Sequence, residues 1–205
     1  MACRHKFYEF LKLDKIDFTP TTLIIGTFNP EWYKNNEARW FYGRTSKNYF
    51  WDVLPRMFNS QSLRNKNHNE WKKFCSEKRV AITDLIASII DADAENQEHL
   101  EIINSFKDSK FADIFNEFEI TNVLKIIKNN PSINKVFFTR KEGVKLFDDE
   151  IEKIQDFCRK NKIYFSYLMT PSGNARFQMR GYIPKDKKLQ RSLSNFIFEN
   201  WRKKF

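Results

Sequence analysis

Three short apolar runs, each opening into a polar loop and each parted from the next by stretches of helical rhythm, leave this chain few ways to fold. They are residues 22–28 (TLIIGTF), 135–139 (KVFFT) and 163–169 (IYFSYLM). Runs this short, rich in Ile, Phe, Tyr and Thr, read as strands; Pro20 and Asn29-Pro30 bound the first, and the third leads into Thr170-Pro171. Helical spacing marks residues 47–58, where Pro55 must end or kink the helix, and also 70–77, 142–160 and 185–203. A longer helical pattern over 111–129 stops at Asn130-Pro131, and residues 3–13 read as a short helix. Residues 79–90 (RVAITDLIASII) fit either a strand or a helix and are assigned a short strand whose end exposes Asp84. Loops are expected from Asn29 to about Ser46, over 59–69 and over 91–98. Strands alternating with helices imply parallel pairing, so the expected class is α/β: a three-layer α/β/α sandwich around a short central parallel sheet. With 205 residues and no repeat or linker, residues 1–205 are expected to form one domain.

Charge narrows the choice of partner. Lys and Arg number 36 against 26 Asp and Glu, a formal net charge of +10, which favours a polyanion because neutralising phosphates releases counterions. Nucleic acid is the leading partner expected. The 21 Phe suit a Phe-rich core or surfaces on which bases stack. Cys3, Cys75 and Cys158 are too far apart and too few for a disulfide framework or a four-cysteine cluster, and they point to a reducing compartment. His68 and Cys75 lack a second pair for zinc, so no metal and no cofactor is expected. His5, His68 and His99 stand among polar residues and are placed on the surface. No apolar leader or membrane-length run is visible, and a cytoplasmic monomer is expected.

Two of the polar loops carry the chemistry: Gly26-Thr27-Phe28-Asn29-Pro30 and Thr170-Pro171-Ser172-Gly173-Asn174-Ala175-Arg176. In an open α/β sheet, loops leaving the carboxyl ends of separate strands converge on one crevice. Between them, Trp40-Phe41-Tyr42-Gly43-Arg44 offers a flat apolar face to a flat ligand.

These segments resemble the uracil-DNA glycosylase superfamily, especially its mismatch-specific uracil/thymine and hypoxanthine branches. Phe28-Asn29-Pro30 is similar to the first motif, and Tyr42-Gly43 through Asn48-Tyr49-Phe50-Trp51 to the aromatic segment. Residues 80–88 (VAITDLIAS) are similar to the middle segment of the hypoxanthine branch, and Pro171-Ser172-Gly173 with Arg176 to the second motif. The resemblance implies an enzyme that turns a damaged nucleotide into a pocket and cuts its base from deoxyribose. Asn29 would orient water, with Asn48 as its rival or as a base contact. Phe41 or Tyr42 would stack on the base, and Gly26, Thr27 and Phe28 would border it. Ser172, with backbone N–H groups around Gly173, would grip a flanking phosphate beside Thr170. Arg176 would enter the vacated space or hold phosphate, with Asn174 and Phe177 as other wedges. The first motif lacks the Asp of the fastest uracil enzymes, and Thr170 stands where they carry His, so rapid uracil excision is not expected.

Two other classes fit the same residues. One is a catalytically inactive nucleic-acid-binding member of the same fold, which predicts salt-sensitive DNA binding without base release. The other is an α/β enzyme for nucleotides or phosphorylated small molecules, with Pro171-Ser172-Gly173 as a phosphate loop and no affinity for DNA.

Overall fold

The computed structural model describes every residue except 33–36, 106–107 and 142, and of residue 109 the backbone alone. In chain order the strands and helices are β1 (Cys3–Arg4), β2 (Thr22–Gly26), α1 (Phe50–Met57), α2 (His68–Lys78), β3 (Val80–Asp84), β4 (Ile86–Ile89) and α3 (Gln97–Ser105). They continue as α4 (Phe111–Ile114), β5 (Phe118–Ile120), α5 (Val123–Asn129), β6 (Lys135–Phe138), α6 (Lys145–Lys160), β7 (Tyr164–Tyr167) and α7 (Leu193–Trp201). Short 3-10 turns lie at Tyr8–Phe10, Asp108–Lys110 and Gly173–Gln178.

Four strands pair in parallel in the order β3-β2-β6-β7, and helices cover both faces, giving the three-layer α/β/α arrangement. Alternation along the strands divides the interior in two. Leu23, Ile25, Val136 and Phe138 meet α5 and α6 through Val123, Ile126, Phe147, Ile151 and Ile154. Ile24, Phe137, Val80 and Ile82 meet α1, α2 and α7 through Phe50, Leu54, Phe74, Ile197 and Trp201. A strand covered on both sides has no polar face to keep, which is why TLIIG is buried throughout and carries three apolar side chains in succession.

Pro55 does not end α1, which runs on to Met57. The Trp51 carbonyl, for which Pro55 has no N–H to offer, accepts instead from Leu63 N–H at 2.8 Å. At α2 a capping box holds the start: Asn67 accepts from the Glu70 N–H, and the Glu70 side chain returns to Asn67 N–H.

A second, antiparallel sheet, β1-β4-β5, departs from the expectations. Residues 79–90 form two strands in succession, β3 in the parallel sheet and β4 in the other, with Leu85 at the crossing. Residues 3–13 are not a helix: Cys3 and Arg4 pair with Ile89 and Ser88 along the edge of β4, and only a 3-10 turn follows. The helical pattern of 111–129 is broken because β5 completes the other edge of β4, and Asn122 then caps a fresh helix by accepting from Lys125 N–H. The last helix begins only at Leu193, under a Ser192 cap, because the N–H groups of Lys185 and Asp186 bond the Glu199 carboxylate rather than a helical ladder. Glu142, where the preceding helix was expected to begin, lies outside the described residues, as does part of the first loop at 33–36.

Candidate active site

The carboxyl ends of all four parallel strands open on one cavity of about 840 Å³. From the end of β2 come Thr27 and Asn29, and from β3 comes Asp84. Thr139 and Arg140 follow β6, and Thr170, Ser172, Gly173, Asn174 and Arg176 follow β7. The aromatic segment closes the ring and is bonded to the second loop: Tyr49 N–H donates to Pro171 O at 2.7 Å, and Gly173 N–H to Lys47 O at 3.1 Å. Asn29, Asn48 and Ser172 thus border the same space. Around it stand the cations Arg44, Lys47, Arg140, Lys141 and Arg176, against the carboxylates Asp84 and Asp108.

The first loop is held from behind by the N-terminal segment. Lys6 N–H donates to Asn29 O at 2.7 Å and Glu31 N–H to Arg4 O at 2.9 Å. Asn29 is buried yet lines the cavity. Thr27 also lines it, and its hydroxyl donates to Asp108 Oδ2. The Phe28 ring packs edge-on against Phe111 and His5. Gly26 does not line the cavity; it lies beneath, where a Cβ would come within 2.1 Å of Asp84 Oδ1 and 2.6 Å of the Tyr42 hydroxyl. No side chain fits there, so the glycine permits the close approach of β2, Asp84 and Tyr42.

Tyr42 and Phe41 separate cleanly. The Tyr42 ring lies parallel to Phe50 at 3.8 Å and lines the cavity, with its hydroxyl 2.8 Å from Thr139 Oγ1. Burial, and then the charge of Asp84, holds the phenol well above its usual range, so it stays a neutral donor. Phe41 is buried among His5, Phe7 and Trp40 and does not border the cavity, which corrects its expected stacking role. The backbone turns over between the two residues, with Tyr42 at φ 54°. Asn48 lines the cavity while its side-chain oxygen accepts from Phe50 N–H at 2.9 Å, which leaves the amide N–H₂ as its outward group.

In the second loop the backbone donors are engaged internally. Gly173 N–H goes to Lys47 O, Asn174 N–H to Ser172 Oγ and Ala175 N–H to Ser172 O, so the expected backbone grip on phosphate at Gly173 is corrected. Ser172 Oγ accepts from both the Thr170 hydroxyl and Asn174 N–H. With both lone pairs taken, its own O–H remains to be given. Asn174, Arg176 and Phe177 are exposed, Phe177 at 88%.

Two features of the site escape a reading of the sequence. His5, placed on the surface from its polar neighbours, is 1% exposed. Its Nδ1 accepts from Phe7 N–H at 2.9 Å, which puts the ring proton on Nε2, 2.7 Å from Asp84 Oδ2. Asp84, expected to be exposed, is buried at 6% and turned to the cavity. The second is Asp108. Burial pushes its carboxyl up to about 6, helped by the charge of Asp84 and opposed by the Thr27 hydrogen bond and by Arg140 Nη1 at 4.0 Å. No motif flags Asp108-Ser109-Lys110; only its place in space does.

A solution NMR structure of a "putative Uracil DNA glycosylase" from Methanosarcina acetivorans is similar to this chain, with a TM-score of 0.54 over 92% of each chain at 13% identity. At that identity the likeness shows the fold alone, the helix-covered parallel α/β sheet described above. No protein-family model and no curated protein matches. Among the described residues no helix is long and apolar enough to cross a membrane.

Proposed function

We propose that the chain is a monofunctional DNA glycosylase that turns a deaminated or otherwise modified base out of the strand and hydrolyses its N-glycosidic bond. The observation that carries this reading is the hydrogen-bonded junction of the aromatic segment with the second loop, at the mouth of a cavity whose floor holds Asn29. A cation rim around a polar floor suits a phosphate chain outside and an uncharged base within.

The base stacks on Tyr42, which Phe50 backs. Asn29, on the cavity wall, orients the water; the Asn48 side-chain oxygen serves Phe50 N–H, so the Asn48 amide donates to a base oxygen, where negative charge gathers as the bond breaks. The Ser172 hydroxyl, with Lys47 and Arg176 beside it, holds a flanking phosphate. Phe177 fills the gap left in the stack.

Base release from duplexes and single strands containing uracil, hypoxanthine, xanthine or hydroxymethyluracil tests the proposal, with Asn29→Ala and Asn48→Ala beside wild type. Release from at least one of them is expected, with Asn29→Ala the slower variant. Salt-sensitive DNA binding with no release from any would leave only the inactive binding protein.

A further inference from the structure

We propose that Asp108 is the general base of this site, the carboxylate that takes a proton from the water attacking C1′ of the turned-out deoxyribose. The inference rests on the glycosylase reading and supplies what that reading lacks, since the Asn29 amide can orient water but cannot accept its proton.

Geometry carries it. Asp108 heads the 3-10 turn after α3 and lines the same cavity as Asn29. Its Oδ2 accepts from Thr27, two residues before Asn29, and lies 4.0 Å from Arg140 Nη1. The side chain is 12% exposed, so it borders the cavity rather than open solvent. On the same wall Asn104 Oδ1 is buried with no hydrogen-bond partner among the described residues, an acceptor suited to a hydrogen of the attacking water.

The electrostatics agree. Asp84 faces Asp108 from the end of β3, Arg140 from the end of β6 and the Tyr42 phenol from the aromatic segment. Lys110, on its own turn, is engaged with Asp113 at 3.1 Å, and Lys141 lines the same cavity. A carboxyl raised to about 6 is ionised at neutral pH yet basic enough to hold a proton.

In the step, the water oxygen bonds to C1′ as the C1′–N bond breaks, and that electron pair leaves with the base. The water proton passes to Asp108 and then to solvent, and solvent protonates the departed base.

The test is single-turnover release of whichever base wild type removes, across about pH 4 to 9, by wild type, Asp108→Asn and the exposed control Asp113→Asn. Wild type should gain rate through a limb near pH 6 and level off above it, and Asp113→Asn should match it. Asp108→Asn should be slower by about 100-fold on the plateau and lose the limb, while binding the same duplex as tightly. A variant within about threefold of wild type overturns the inference, as does a wild-type profile that is flat or falls above pH 6. Those results differ from a wild type that releases no base at all, which overturns the glycosylase reading itself and this inference with it.

Discussion

Replacing Asp108 by Asn should make the protein more stable at neutral pH and leave it unchanged in acid. The folded carboxyl titrates near 6, whereas the group in an unfolded chain titrates near its ordinary 3.8. Below about pH 3 it is protonated in both states and contributes nothing to the balance. Between there and pH 6 the folded protein keeps a proton that the unfolded chain has lost, so stability falls as the pH rises. Above pH 6 the deficit is constant, and at ~1.36 kcal/mol per pH unit it amounts to about 3 kcal/mol. Asparagine keeps an oxygen for the Thr27 hydroxyl and has no charge to bury, so most of that deficit should be recovered. Urea unfolding of wild type and variant at about pH 4 and pH 7.5 reads the effect directly. The reasoning fails if Asp108→Asn is no more stable than wild type at the higher pH, or if the difference between the two is the same at both.

Two other substitutions separate structure from function. His5→Phe keeps the ring's bulk but removes a donor from the buried Asp84 carboxylate and an acceptor from Phe7 N–H, together about 3–5 kcal/mol. A fall in Tm of roughly 10 °C is expected in thermal unfolding, and one under about 2 °C would contradict the assigned tautomer and pair. Phe177→Ala removes a ring that is 88% exposed, so stability should move by less than about 0.5 kcal/mol. Release from duplex should then suffer through KM while release from single strands is spared, and an equal loss on both would end the wedge role.

What could be read from the sequence was whatever the chain dictates locally. Strands β2, β6 and β7 are legible because helices cover the sheet on both faces and leave no polar alternation to obscure the runs. The order of elements then brings their polar loops to one end of the sheet. β5 is not legible: Phe118-Glu119-Ile120 keeps a helical rhythm with its flanks and becomes a strand only because the edge of β4 is there to pair with. Phe41 and Tyr42 look equivalent as neighbouring aromatics, and a left-handed turn at Tyr42 sends one ring to the core and the other to the cavity. Asp108 carries no local signal, since its carboxyl is raised by burial in the folded chain and by the charge of Asp84, neither of which its neighbours in sequence reveal.

The segment before β2 shows why a strand and a turn serve this site where a helix would not. Arg4, His5 and Lys6 are consecutive, and each reaches a different part of the cavity's underside: Arg4 O takes Glu31 N–H, His5 Nε2 holds Asp84, and Lys6 N–H holds Asn29 O. A helix would engage its own N–H and C=O groups and could not present all three. The isolated bridge between His5 and Pro30 fixes the register of this clamp. Asn29 is therefore held by its backbone whether or not the cavity is filled, and Asp84 is held by a neutral imidazole that adds no charge to the cavity floor. Positioning fixed in advance is the kind of contribution an amide can make to hydrolysis, and it is worth most where a nearby carboxylate takes the proton.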